Sequence, residues 1–331
     1  MKIWYMTVFI FLIFFNYNQY SQTKPDSNFG ITFFVVADTH FDPPPESDQY
    51  YHIVAINSVC GSINNKSAAV WPEFIEGKAT NFGSAGEKIE MPKGVILAGD
   101  ITDRAEPKSL ELLKNRYEKG DGDKVINFPV FVGLGNHDLD PQHVVDSAEV
   151  YRTYMLNYVA ERHEGKNAPV PVTNFDSESK NYSWDWEGIH FVQTHRFAGN
   201  TENGLPNSIN WLREDLSKYA SNNKPVVIIQ HYGFDGWSLK WYSDEEKEIL
   251  FNTIKDYNVI AIFVGHNHVA ENLIWKGIDI FQVNNAWPDS DGNGSFSVCK
   301  ITNTYIDVVT CRWKNGEGDV ELIAPFFHKN F

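Results

Sequence analysis

Three observations predict an α/β layered fold. Short apolar runs alternate with helix-like segments along the whole chain, the runs are rich in Val, Ile and Phe, and each run ends at polar residues. No internal repeat or long low-complexity tract competes with that reading.

The elements follow in order. Ile31 to Ala37 reads as the first buried strand. Between Asp42 and Pro92 runs a long insertion that opens on Pro43, Pro44 and Pro45, carries Trp71, Phe74 and Phe82, and predicts one helix, Glu46 to Val59. A loop of that length is either functional or a surface excursion, and the residues do not choose between them. Val95 to Ala98 and Phe128 to Gly133 are the next strands, separated by a helix over Pro107 to Glu118 with Pro in its first turn. A second helix is predicted over Val144 to Arg162. Tyr182, Trp184 and Trp186 precede the strand Ile189 to Thr194 and read as core or edge residues. Ser208 to Ala220 is helical, Pro225 to Gln230 a strand, and Ser243 to Tyr257 a helix opened by the capping pattern Ser243 and Glu246. Val259 to Val264 is a further strand. From Ser295 the pattern alternates, with strands Phe296 to Ile301 and Tyr305 to Trp313 around a turn near Asn303, so residues 295–325 are expected to close a single domain spanning 22–331.

The N-terminus sets the expected address. Lys2 precedes an apolar run from Ile3 to Phe15, broken only by Thr7, and polar Asn16, Asn18 and Gln19 follow. That is a signal-peptide pattern, expected to cover 1–21. A membrane span needs about 20 apolar residues and this run is shorter, so a secreted or periplasmic protein with no stable membrane anchor after processing is expected. About 310 residues then remain, enough for a well-buried core. The net charge of −15 opposes nucleic-acid and anionic-lipid binding, which depend on basic patches. Three cysteines are too few for a disulfide scaffold. Cys299 and Cys311 lie on segments read as neighbouring strands and could pair in an oxidising compartment, leaving Cys60 alone, or all three could be buried thiols.

The chemistry sits where the strands end. Asp38 and His40, Asp100 and Asp103, Asn136, His137 and Asp138, His231, and His266 and His268 each follow an apolar run. All are metal-ligand or proton-transfer types, and strand ends of α/β sheets are where ligands bind. Any one of them alone reads as a turn residue or a hydrogen-bonded core group; their joint occurrence is the signal. Gly99, Gly135 and Gly265 each precede a candidate ligand and permit close backbone approach.

Asp38-x-His40, Gly99-Asp100-x-x-Asp103, Gly135-Asn136-His137-Asp138, His231 and Gly265-His266-x-His268 together resemble the five-block signature of calcineurin-like metallophosphoesterases. The resemblance implies a four-layer sandwich, two mixed sheets packed face to face and flanked by helices. It implies two divalent metal ions, one held by Asp38, His40, Asp100 and His268, the other by Asp100, Asn136, His231 and His266, with Asp100 bridging. A carboxylate between two cations offsets their repulsion, and hydroxide generated there attacks phosphorus in line. His137 is then the expected general acid and Asp138 its orienting partner, while Asp103 orients a ligand instead of binding metal. Nitrogen and oxygen ligands without thiolate suit Mn, Fe, Zn or Co. The purple acid phosphatase branch has Tyr where this chain has Asp103, so no tyrosinate-bound ferric ion and a colourless or weakly coloured protein are expected.

The expected partner is a small phosphoester. Trp237 stands in an aromatic-rich stretch, Tyr232 to Tyr242, and could stack on a base or sugar, cover a lipid glycerol, or pack the loop. His195 and Arg196 end a strand, where Arg could grip phosphate through two hydrogen bonds or form a surface salt bridge. The Asp of Gly-Asn-His-Asp tilts the resemblance toward a phosphodiesterase. A phosphomonoesterase on the same site and a non-catalytic secreted metal-binding protein are the alternatives; a serine esterase lacks its Gly-x-Ser-x-Gly elbow.

Overall fold

A computed structural model describes residues 29–42, 49–63, 66–118, 120, 122–140, 148–200, 206–287 and 294–331. The expected signal segment, Pro43 to Pro45 and the starts of the helices expected from Glu46 and Val144 lie outside the described residues.

In chain order the elements are β1 (Gly30–Val36), α1 (Tyr50–Val59), β2 (Phe74–Ile75), β3 (Lys78–Ala79), β4 (Val95–Leu97), α2 (Pro107–Tyr117), β5 (Val130–Phe131), α3 (Asn136–Leu139) and α4 (Ala148–His163). Next come β6 (Asn174–Phe175), β7 (Tyr182–Trp186), β8 (Ile189–Gln193), α5 (Ile209–Tyr219), β9 (Val226–Ile229), α6 (Asp244–Ile254) and β10 (Val259–Val264). The chain finishes with β11 (Glu271–Trp275), β12 (Ile278–Gln282), β13 (Ser295–Thr302), β14 (Tyr305–Trp313) and β15 (Val320–Asn330). One mixed sheet has the order β15-β14-β13-β1-β4-β5 and a second the order β11-β12-β10-β9-β8-β7-β6.

The two sheets pack face to face with helices outside, the expected four-layer sandwich. Alternate residues of the second sheet show why its runs are apolar throughout. Phe191, Val227, Ile229, Ala261 and Phe263 face the first sheet, while Val192, Val226, Ile228, Ile262 and Val264 meet Leu212 and Leu216 of α5 and Leu250 and Ile254 of α6. Phe33 of β1 joins the sheets, its ring 5.3 Å from Phe191 and 5.8 Å from Phe263.

β11 and β12 form an antiparallel hairpin that no clear apolar run marks in the sequence. Its turn is Lys276-Gly277, with φ of 49° and 86°, a two-residue connection that suits the strand twist. Tyr182 to Trp186 form β7, paired antiparallel with β8, and the closing strands continue to Asn330. The described part of the insertion around Trp71 to Ser84 packs onto the closing strands. Trp71 and Phe82 are buried, Phe82 meets Phe326 at 5.9 Å, and the Asp307 carboxylate accepts from Ser84 N at 2.9 Å and Ser84 Oγ at 2.6 Å. Cys60, Cys299 and Cys311 are buried free thiols. Cys299 faces Val308 and Cys311 faces Phe296 across β13 and β14, so the two are not opposite one another.

A charged network away from the strand ends gives a stability prediction. His190 is fully buried, with Nδ1 2.8 Å from Asp185 and Nε2 2.9 Å from Asp215. Lys224 pairs with the same Asp185, Ser183 and Asn174 donate to Asp215, and Tyr219 stacks on the ring. Burial alone would lower the His190 pKa; the bonds to both carboxylates outweigh it and raise it. The stabilisation is therefore complete below about pH 6.5, the ordinary histidine value, and fades as pH rises through the higher folded-state value. His190→Ala strands the buried Asp215 and is expected to cost about 3 kcal/mol in urea unfolding at pH 6. The gap to the parent should narrow at alkaline pH; a constant gap would contradict a charged His190.

Candidate metal centre

Parallel strands from both sheets bring the polar residues together. Asp38 follows β1, Asp100 follows β4 and Asn136 follows β5 in the first sheet, while His231 follows β9 and His266 and His268 follow β10 in the second. Backbone bonds tie these ends: Asp38 N donates to Gly99 O at 3.0 Å, His40 N to Asp100 O at 3.0 Å, and Gly265 N to His231 O at 3.0 Å. Asp38, His40, Asp100, His266 and His268 all adopt positive φ, between 42° and 79°. Such backbone is costly for residues with side chains, and strain of this kind concentrates where side chains are held for function.

Gly265 permits the close approach. A Cβ there would stand 2.6 Å from Asp38 Oδ2 and 3.0 Å from Ala98 O, against a carboxylate and a backbone carbonyl that cannot both retreat. Gly265→Ala is therefore expected to displace Asp38 and weaken metal binding by tenfold or more, about 1.4 kcal/mol. Equilibrium dialysis with Mn or Zn checks this, and unchanged affinity would refute it.

The side chains fall into three groups whose ligand atoms lie within 4.8 Å of one another: Asp38, His40 and His268; Asp100, His231 and His266; and His40, Asp100 and His137. His268 Nε2 is 3.4 Å from Asp38 Oδ1, and His231 Nε2 is 3.0 Å from Asp100 Oδ2 and 3.1 Å from Asn136 Oδ1. Asp100 stands between the groups, with His40 Nε2 at 3.6 Å from the same Oδ2.

The residues fit metal ions. His40 and His231 direct Nδ1 at acceptors, Asp103 Oδ1 at 3.2 Å and Ala98 O at 2.9 Å, the arrangement that turns Nε2 toward a metal. The buried Nε2 atoms of His40 and His266 have no hydrogen-bond partner. Burial works against ionising Asp38 and Asp100, yet both are held well below the usual carboxylate range, chiefly by His231, with His40 and neighbouring imidazoles contributing. Burial likewise opposes charge on His40 and His231, but Asp103 for the first and Asp100 for the second raise them to about 10 and about 9. Cations are thus what this pocket stabilises.

Asp103 organises two histidines at once. His137 Nδ1 donates to Asp103 O at 2.8 Å and lies 3.4 Å from its Oδ1, which also receives His40 Nδ1. The expected role of Asp138 is corrected. Its carboxylate accepts from Ile101 N, Thr102 N, Thr102 Oγ1 and Gly135 N at 2.7–3.0 Å, and among the described residues it forms no hydrogen bond or ion pair with the His137 ring. Burial and the nearby Asp100 charge push its pKa up to about 6. Asp138 staples the two ligand-bearing loops, and Asp103 orients His137.

The sequence pattern of the calcineurin-like phosphoesterase family matches residues 31–270. The chain belongs to that family. Its members depend on a binuclear metal centre, and the family indicates a hydrolase acting on phosphoesters. Among solved structures, a dimetal phosphatase from Danio rerio shares the fold with a TM-score of 0.54 and 10% identity, over 86% of this chain and 99% of that one. PhoD matches with a TM-score of 0.52 and 11% identity, over 91% and 73%. GAP50, described as the anchor in the inner membrane complex of Plasmodium, matches with a TM-score of 0.52 and 12% identity, over 89% and 88%. At such identities the likeness is one of fold. No curated protein matches the chain in sequence.

At the family's metal-binding end of the sandwich lies a cavity of about 230 Å³. It is lined by Asp100, Asn136, His266 and His268, and by His137, Asp140, Trp237 and Trp241. Of the three residues expected to meet substrate, only Trp237 is there. His195 is buried, accepts from Leu134 N at 3.1 Å through Nδ1 and donates to Lys180 O at 2.9 Å through Nε2, so its ring ties loops together. Arg196 is also buried, 2% exposed beside Tyr232, and among the described residues it forms no salt bridge and no part of the cavity wall. Trp241, from the same aromatic-rich stretch, lines the cavity as well, and so does Asp140, which no residue pattern marked. Trp287 packs edge-on against His40 and His268, at 4.7 and 5.2 Å, and no residue pattern marked it.

Proposed function

We propose that the protein is an exported, metal-dependent hydrolase of phosphoesters that prefers diesters. The observation that carries this is the convergence of the Asp38, Asp100 and His231 groups on one cavity with His137 at its rim. Bound metal ions would supply Lewis acidity and an activated water. Asp38, His40, Asp100 and His268 are assigned to one ion and Asp100, Asn136, His231 and His266 to the other, with Mn, Fe, Zn or Co the fitting elements. His137 donates the proton to the departing oxygen. Burial opposes its charge, but Asp103 and Asp100 raise its pKa, so it keeps the proton the step needs.

The preference for diesters is supported by the Asp of Gly135-Asn136-His137-Asp138, a feature common among diesterases of the family. Export is supported by the apolar run after Lys2, and among the described residues no helix is long and apolar enough to cross a membrane. The net charge of −15 supports a small substrate over nucleic acid.

Hydrolysis of bis-p-nitrophenyl phosphate and p-nitrophenyl phosphate by metal-stripped protein, reloaded in turn with Mn, Zn, Fe, Co, Mg and Ca, tests the reading. Metal-restored turnover with the diester ahead is the expected result. Turnover with the monoester ahead would make it a phosphatase. No turnover with two ions bound per chain would favour a non-catalytic metal-binding protein, and GAP50, described as an anchor, shares this fold.

A further inference from the structure

Two indoles stand exposed at the mouth of the metal-centre cavity, Trp237 at 51% and Trp241 at 40%. Loop packing engages them only in part: Trp241 stacks on the buried Tyr232 ring at 6.3 Å and 29°, while half of Trp237 stays exposed. The turn that carries them is fixed by Asp235, which accepts from Trp237 N at 2.7 Å, Ser238 N at 3.0 Å and Ser238 Oγ at 2.8 Å, and by the buried rings of Tyr232 and Tyr242. A rigid turn thus presents large apolar rings to solvent, which forfeits burial that tryptophan ordinarily secures. Trp241 stands edge-on to His266, ring centres 4.9 Å apart at 88°, so its position relative to the candidate ligands is set. Trp237 lies 5.7 Å from Trp241 at 59°, making an open aromatic corner. Lys240 holds Nζ 3.9 Å over the Trp237 ring and 5.6 Å from that of Trp241.

We infer that this corner is a subsite for a flat aromatic ring on the substrate's alcohol, a nucleobase foremost, so that the site takes nucleoside phosphoesters. The inference rests on the phosphoester reading and narrows it. A ring stacks on indole whatever its substituents, and the Lys240 ammonium offers donors to acceptor atoms on a base edge, which a plain phenyl ring lacks. An acyl chain offers neither a flat face to stack on the indoles nor acceptor atoms for the Lys240 ammonium.

The test compares adenosine 5′-phosphate with ribose 5-phosphate, each also as its methyl diester, on the metal-loaded protein. Both esters of a pair release the same type of alkoxide and differ in the base. The adenosine ester is expected to lead by about tenfold or more in kcat/KM, as base stacking on an aromatic ring provides. Trp237→Ala and Trp241→Ala should each pull that ratio toward one, with Trp→Phe retaining most of it. Quenching of indole emission by adenosine 5′-phosphate, which needs no turnover, should weaken in the same order. A second pair, 2-phenylethyl and ethyl phosphate, separates the sources of the ring: a smaller lead than for the adenosine pair supports the nucleobase, and an equal one overturns it in favour of any aryl group. Equal turnover of adenosine and ribose esters, or a lead untouched in both Ala variants, overturns the subsite alone. Inertness of every ester with two metals bound removes the phosphoester reading and this inference with it.

Discussion

Asp100→Ala is expected to deplete both metal positions and to lower kcat/KM by about 10³-fold or more, since a lost metal removes several kcal/mol of transition-state stabilisation and each 1.36 kcal/mol is tenfold. The size of the effect follows from where the carboxylate stands. Asp100 belongs to two of the three metal-competent groups, with Oδ2 3.0 Å from His231 and 3.6 Å from His40, and its Oδ1 receives His137 N at 2.8 Å. Removing it deprives two imidazoles of their counter-charge and frees the Asn136-His137 loop from its backbone tie. Asp100→Asn keeps most of the shape and loses the charge, so it should retain the loop tie and still bind metal weakly. Elemental analysis of dialysed protein reads the result directly. Two ions per chain retained in Asp100→Ala would sink the bridging assignment.

The same physical rules decide which residues were legible in the sequence. β9 and β10 could be read because both faces are buried, which leaves continuous Val and Ile runs. β11 could not, because Glu271 is exposed and Asn272 and Leu273 only half-buried, so neither a run nor a clean alternation survives. Its hairpin partner hides Asp279 within Ile278–Gln282, yet the Lys276-Gly277 pair was an available turn signal. Candidate ligands were legible as acidic and imidazole side chains at run ends. That cue does not say where a side chain points. His195 and Arg196 satisfy it too, and their side chains are buried between loops. Asp138 adjoins His137 on the single turn of α3, and consecutive helical residues project in directions about 100° apart, so sequence adjacency pointed to the wrong partner. Asp103, distant in sequence, makes the contact because β4 and β5 run side by side.

His137→Ala is expected to slow alkyl phosphoesters by about 10²–10⁴-fold while costing p-nitrophenyl esters far less, because nitrophenolate departs without a proton and an alkoxide does not. Metal content should stay at the parent level, since His137 lies at the rim and the other groups keep their ligands. Asp103→Asn separates orientation from proton supply. The backbone acceptor at 2.8 Å survives, but the charge that helps raise the His137 pKa is removed, and His40 loses its carboxylate partner at 3.2 Å. A general acid must be protonated to act, so activity falls as pH rises through its pKa; lowering that pKa should move the alkaline limb of kcat to lower pH. Weaker orientation of His40 should also reduce metal affinity by about 10–100-fold, as loss of a partner behind a ligand does. A leaving-group effect that is equal for alkyl and nitrophenyl esters in His137→Ala would remove the proton-donor role. An alkaline limb that stays in place in Asp103→Asn would leave Asp103 a purely structural support for the loop.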